Sequence, residues 1–278
     1  LGCQLDERNA LAPATRYRVN VRPQLKALEG ATMTAEVSHS FITQRPKVSS
    51  NWFKTWLSPG TPQIGIRFNQ PVEQGPVASH LYFQTAKGAQ IPAMLTEDPD
   101  FVKSSEYQKG LVWLVTPKQE LPPEQTARLV AGAGIRSLQG PEPSAREMAV
   151  VDVHTFPPFT FIGIQCETKE GKQITIRQGA GDPSSSTQQR CNPEREISLV
   201  FSSPVLKEAI QPNLEIQPKL TARTGDDDPW ENVYSYSQLD SSRDKNEVYP
   251  APLPTLFKPY QQYQLKASPG TIKDEFNR

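Results

Sequence analysis

The sequence predicts an all-β chain built from tandem antiparallel β-sandwich domains. Three observations carry that prediction: a high proline content, apolar residues that alternate with a period of two, and the return of the same pattern at a fixed offset. The 278 residues include 27 Pro and 16 Gly, and 36% are hydrophobic. Proline lacks a backbone donor and breaks helices, so a helical bundle is a poor fit, whereas short strands joined by turns accommodate it. A compact domain takes roughly 100–200 residues, so more than one domain is expected.

The alternation is clearest in IGIRFNQPVEQGPVASHLYF, which begins at Ile64. Ile64, Ile66 and Phe68 predict a strand with one buried face, and Pro71 ends it by withholding a ladder hydrogen bond. Leu81 and Phe83 predict a second strand. With Phe68 set against Phe201, an offset of 133, Ile64 meets Ile197 and Ile66 meets Leu199. Pro71-Val72 then meets Pro204-Val205, Val77 meets Ile210, Leu81 meets Leu214 and Phe83 meets Ile216, with no gap. A repeat of this kind marks modules of one architecture.

A second signature occurs three times, as LAPATRYRVNV from Leu11, LPPEQTARLVA from Leu121 and FKPYQQYQLKA from Phe257. Each reads as a proline turn feeding a half-buried strand, and LVWLVTP (111–117) is an apolar strand before the second copy. Strand closure also repeats: HSFIT around Phe41 resembles VDVHT around Val153, and each leads into a proline-rich linker, TQRPKV (43–48) and TFPPF (155–159). The expected organisation is therefore 1–44 as the C-terminal half of a β-sandwich, 45–156 as a complete module, and 157–278 as another. An alternative makes 1–44 a small module of its own. By the same pattern GTIKDEFNR stops shortly before a final strand. Two insertions are irregular: the polar, Gly/Ser-rich 178–193, and the long acidic loop 223–247, whose length implies either a function or disorder.

Composition excludes several functions. Lys+Arg and Asp+Glu both number 30, so the chain carries no electrostatic footprint for nucleic acid or an anionic membrane. There is no run of 18 apolar residues to span a bilayer, and no signal segment opens the sequence. His39, His80 and His154 lie in different modules or strands without metal-ligand spacing, and His80, just before an apolar strand, is expected to face solvent. No nucleotide or nucleophile-elbow motif occurs; GAGDPSSS lacks the Lys and helix start that phosphate binding needs. Asp226-Asp227-Asp228 lacks the alternation of a calcium loop and reads as a solvated acidic run. Trp230, Tyr234 and Tyr236 alternate as either a core-facing strand or a binding surface, the strand being preferred. No catalytic residue, metal or cofactor site is expected; a carboxylate pair for glycoside hydrolysis would have to be added in the insertions.

Of the three cysteines, Cys166 and Cys191 flank the segment 167–190. They read as a disulfide in an oxidising compartment, the alternative being two free buried thiols in the cytosol. Cys3 is left without a partner. LGC at the start is one residue short of a lipoprotein signal, in which the Cys receives lipid.

The repeat halves resemble a known family. IGIRFNQPV, LPPEQTARLVA and FKPYQQYQLKASPGTIKDEF resemble bacterial Ig-like envelope modules. The layout, with LAPATRYRVNVRPQLKALEG…HSFITQRPKV and PPFTFIGIQC…CNPEREISLVFSSPV, is similar to the macroglobulin-like domains in the N-terminal half of bacterial α2-macroglobulins. The resemblance implies a structural segment of a broad-spectrum protease inhibitor, an endopeptidase trap of the periplasm or cell envelope. Such proteins are often inner-membrane lipoproteins, anchored here only through a part outside the chain. It implies proteases as partners of the full-length protein, along with a penicillin-binding peptidoglycan synthase. The family's Cys-x-Glu-Gln thioester is not present: Cys166 is followed by Glu-Thr-Lys and Cys3 by Gln-Leu-Asp, so no family catalytic residue carries over. Asn277 replaces the glycine of the family's Asp-x-Phe-Gly turn, and Asn tolerates the left-handed backbone. Two competing readings are an Ig-like adhesin or surface-layer array binding glycan or host protein, and an accessory domain of an envelope hydrolase.

Overall fold

The computed structural model describes residues 10–177, 190–221 and 228–278. Their strands are antiparallel and their helices few and short, so the chain is all-β. It divides into two compact units. Unit 1 comprises residues 1–54, 63–121 and 127–152, and unit 2 comprises 55–62, 122–126 and 153–278.

Strands β1 (Arg16–Val21) and β2 (Val37–Ile42) form a separate two-stranded sheet in unit 1. Two strands bury little, and Val19 and Val37 are about half exposed, at 50% and 51%. A Tyr17–Phe41 stack with centroids 5.8 Å apart supports the pair.

A seven-stranded sheet follows, with β3 (Val48–Ser58), β4 (Thr61–Phe68), β5 (Leu81–Thr85), β6 (Gln90–Thr96), β7 (Val112–Pro117), β8 (Thr126–Ala131) and β9 (Met148–His154) in the order β3-β4-β7-β6-β5-β8-β9. Ile64, Ile66 and Phe68 are at most 1% exposed, as their alternation predicts. Every residue of β7 is buried, which fits its unbroken apolar run. Gly65 is required where it stands, because a Cβ there would collide with the Trp52 ring of β3.

A helix, α1 (Gln74–His80), connects β4 to β5. Only Val77 is fully buried in it, so the segment shows no amphipathic period, and Pro76 is tolerated in the first turn. A one-turn helix, α2 (Pro99–Val102), is capped by the Asp98 side chain, which accepts the Asp100 N–H at 3.0 Å.

Unit 2 repeats this plan. Strands β10 (Phe161–Glu167), β11 (Gln173–Arg177), β12 (Ile197–Phe201) and β14 (Tyr249–Pro252) pair in the order β11-β10-β12-β14. The succession β10-β12-β14 matches β3-β4-β7, and β11 is an added edge. Helix α3 (Lys207–Ile210) and strand β13 (Glu215–Gln217) follow β12 as α1 and β5 follow β4. Val77 and Ile210, aligned by the offset of 133, are both 0% exposed and both helical. Strand β15 (Gln264–Lys266) pairs Leu265 with Ile216 of β13, just as β8 pairs Leu129 with Phe83 of β5.

The core of unit 2 gathers Leu199, Phe201, Val205, Ile210, Trp230 and Leu253. A second cluster centres on Phe156, which meets Trp56 and Phe276 edge-on, each with centroids 5.1 Å apart. Residues 228–247 pack into these clusters rather than standing free. Trp230 and Val233 are buried, and the Trp56 N–H donates to the Leu239 carbonyl at 2.8 Å. The expected strand through Trp230, Tyr234 and Tyr236 is corrected: these residues form no strand, Trp230 is core, and the two tyrosines are 68% and 76% exposed. Pro229 and the turn around Trp230 divert the backbone before an alternation can be used.

Candidate functional site

The three proline turns share one backbone. Ala14, Glu124 and Tyr260 each follow a proline and each has positive φ, at 46°, 54° and 58°. Proline followed by a left-handed residue is the pattern of a type II turn, which reverses the chain into the next strand. Non-glycine residues resist that conformation, so its recurrence at three aligned positions reflects a demand of the fold.

In two of the turns a threonine closes the structure. Thr43, one residue beyond β2, donates its hydroxyl proton to the Ala12 carbonyl at 2.8 Å and accepts the Thr15 N–H at 3.0 Å. Thr155, one residue beyond β9, donates to the Pro122 carbonyl at 2.7 Å and accepts the Gln125 N–H at 2.9 Å. The left-handed residue then donates to the carbonyl just past the threonine. Ala14 N–H reaches Gln44 at 2.9 Å, and Glu124 N–H reaches Phe156 at 3.1 Å. A hydroxyl suits this position because it donates and accepts at once.

The linkers are gripped from the other side as well. Asn69 accepts the Lys47 N–H at 2.8 Å and donates to the Arg45 carbonyl at 3.1 Å. Ser202, aligned with Asn69 by the offset of 133, accepts the Thr160 N–H at 2.8 Å and donates to the Pro158 carbonyl at 2.9 Å. Both proline-rich linkers are therefore hydrogen-bonded elements. Arg243 strengthens the second: its buried guanidinium donates to the Thr155 carbonyl at 3.2 Å and lies 5.5 Å from the Phe156 ring centroid.

Cys166 of β10 and Cys191 are joined by a disulfide with Cα atoms 5.5 Å apart. Beside it the Asn192 N–H donates to the Glu167 carbonyl at 2.7 Å. Cys3, most of 178–193, Asp226 and Asp227 lie outside the described residues. Asp228 is used structurally, accepting the Trp230 N–H and the Gln211 side-chain amide at 3.0 Å each.

The three histidines remain apart. His39 sits on β2, and His154 Nδ1 lies 2.8 Å from the Thr126 hydroxyl. His80 is corrected from solvent-facing to half-buried, because its ring packs over Gly134 and Nδ1 lies 2.6 Å from the Pro76 carbonyl. Among the described residues no group of three or more His, Cys, Asp or Glu side chains could hold a metal, and no helix is long and apolar enough to cross a membrane. The Tyr82 hydroxyl donates to Glu147 at 2.6 Å, and that bond, aided by burial and the carboxylate charge, pushes its pKa up to about 12. Tyr249 is also raised, first by burial and then by the Glu247 charge. Asn277 has φ 64°, the left-handed backbone expected of the residue in the glycine position.

Sequence reading found the proline turns and the repeated closure but not the threonines, the asparagine–serine clamp or Arg243. The available signal was a threonine opening each proline-rich linker.

The fold and these junctions define a class: tandem antiparallel β-modules of repeated plan, carrying one disulfide. No family model and no curated protein matches the chain. Among solved structures, it is similar to the N-terminal part of the bacterial S-layer protein SbsC, at 14% identity and TM-score 0.25 over 56% of this chain. It is similar to rSbsC(31-844), a longer piece of that protein, at 13% identity and TM-score 0.25, again over 56% of this chain. The chain spans 40% and 23% of those two chains.

Proposed function

We propose that the chain is an architectural segment of a bacterial cell-envelope protein of the α2-macroglobulin type, without catalysis of its own. The observation that carries this reading is the repeated clasp: the same turn, threonine and linker clamp appear in both units, as suits a part assembled from modules of one architecture. The disulfide supports an oxidising, extracytoplasmic setting such as the periplasm. In the full-length protein the modules would position a bait region and a thioester, with proteases as captured partners and a peptidoglycan synthase as neighbour. Membrane attachment would come from an anchor outside residues 1–278.

The test uses the full-length protein mixed with unrelated endopeptidases. The expected result is cleavage followed by retention of each protease in a high-mass complex, still active on small substrates. Pretreatment with a small amine, which opens thioesters, abolishes the covalent part of that capture. A full-length protein that lacks Cys-x-Glu-Gln and retains no protease refutes the proposal.

A further inference from the structure

The fold of unit 2 takes Trp230 into its core and leaves two neighbouring aromatic residues outside. Tyr234 and Tyr236 are 68% and 76% exposed, on a segment that is nevertheless fixed. The Val233 N–H donates to the Trp230 carbonyl at 3.0 Å, and the Ser235 hydroxyl accepts the Lys207 N–H at 3.0 Å. With Trp230 and Val233 buried, Tyr234 is presented to solvent from an anchored turn. It walls a cavity of about 440 Å³, a size typical of small-ligand sites. The cavity lies where β12 starts and β14 ends, and there the Leu253 N–H donates to the Ile197 carbonyl at 2.8 Å. Val233, Leu253 and Pro254 line it as buried apolar residues, whereas Glu196, Glu231 and Asn232 line it as exposed polar ones. Among the described residues that line it, none is Lys, Arg or His.

From this we infer that the cavity is a glycan-binding site that takes an uncharged pyranose unit. The C–H face of the sugar packs on the Tyr234 ring and the apolar lining, as aromatic side chains with one wet edge favour. Its hydroxyls donate to the Glu196 and Glu231 carboxylates, and the Asn232 amide supplies both a donor and an acceptor. A uronic acid or a phosphorylated sugar is rejected, because it would meet Glu196, Asp228 and Glu231 with no lining cation to offset them. A cationic ligand gains little. The carboxylates are exposed, so ion pairs with them are screened. Two of the three are also already engaged: Glu196 accepts the Ser198 hydroxyl at 2.9 Å, and Asp228 accepts the Trp230 N–H and the Gln211 amide. The walls are hydrogen-bonded in place before a ligand arrives, which lowers the ordering cost of binding. The inference adds a binding task to the architectural reading and does not depend on it.

The experiment titrates the 15N-labelled 278-residue chain and follows its amides by NMR. The probes are neutral tetrasaccharides of glucose, mannose and N-acetylglucosamine, a tetrasaccharide of galacturonic acid, and tetralysine. The expected result is saturable shifts confined to 196, 228–234 and 252–256 with at least one neutral tetrasaccharide, and none there with the uronate or with tetralysine. Tyr234→Ala weakens binding roughly tenfold, the scale of one aromatic contact, while Tyr234→Phe retains it. Tyr236→Ala, at an exposed residue that does not line the cavity, leaves it unchanged. The unfolding midpoint of each variant stays that of the parent, so a loss of binding is not a loss of fold. The inference is overturned if no neutral tetrasaccharide moves these amides at roughly 10 mM, a weak-binding limit. It is also overturned if Tyr234→Ala binds as well as the parent, or if tetralysine moves the same amides, which would assign the cavity to a cation.

Discussion

Replacing Thr155 by valine removes one hydroxyl and changes almost nothing else in shape. Thr155 is 0% exposed, and its hydroxyl satisfies both the Pro122 carbonyl and the Gln125 N–H. A buried polar group left without a partner costs about 1–3 kcal/mol, and the Gln125 amide is only partly shielded, so Thr155→Val should cost about 2–4 kcal/mol in all. Thr43 makes the same bonds at a half-exposed site, where water replaces the lost partners, so Thr43→Val should cost about 0.5–1.5 kcal/mol. Urea unfolding measures both, as a shift in midpoint at constant slope. Thr155→Ser, which keeps the hydroxyl, should recover most of the loss. A Thr155→Val cost below about 0.5 kcal/mol, or one smaller than that of Thr43→Val, would refute the reasoning that the buried clasp holds the second junction.

Four further outcomes are expected. Reducing Cys166–Cys191, which closes a loop with sequence separation 25, should cost about 3.5 kcal/mol by loop-closure entropy, read as a fall in unfolding temperature of unit 2; peptide mapping without reductant should recover the linked pair. Glu124→Gly and Tyr260→Gly should each be neutral to stabilising by up to about 1 kcal/mol in denaturant unfolding, since glycine relieves the left-handed strain but enlarges unfolded-state entropy; a clear loss at either would contradict the shared turn. Ile210→Ala, in the core of unit 2, should cost about 2–5 kcal/mol by the same measurement. Tyr82 should ionise near pH 12 in an absorbance titration and move down toward the free-tyrosine value in Glu147→Gln. Because its folded pKa lies above the unfolded one, its contribution to stability is complete below about pH 10 and disappears as pH rises through 12.

Strand structure was legible in the sequence where one face is buried. Ile64, Ile66 and Phe68 alternate because the opposite face carries Gly65 and Arg67, and the offset to Ile197, Leu199 and Phe201 aligned two elements that pair alike. The helices at 74–80 and 207–210 were not legible, since each commits a single fully buried side chain, Val77 or Ile210, and a period needs several. Trp230, Tyr234 and Tyr236 misled for the opposite reason: an alternating spelling predicts a strand only when a neighbouring strand supplies hydrogen bonds, and none does so here among the described residues. The junction residues were half legible. Proline signalled each turn, but the role of Thr43 and Thr155 depends on chain segments 28 and 30 residues away meeting them, and periodicity carries no such contact.

The central claim is that one clasp, a left-handed turn closed by a threonine, is built alike in both units. Hydrogen exchange of six backbone amides, resolved by NMR, tests it most directly. The amides of Ala14, Thr15, Glu124 and Gln125, each hydrogen-bonded in a clasp, should exchange slowly, with the buried second pair slowest. The amides of Tyr260 and Gln261, which have no acceptor among the described residues, should exchange at nearly the rate of an unstructured peptide. Equal protection of all six, or free exchange at Glu124 and Gln125, would contradict the account.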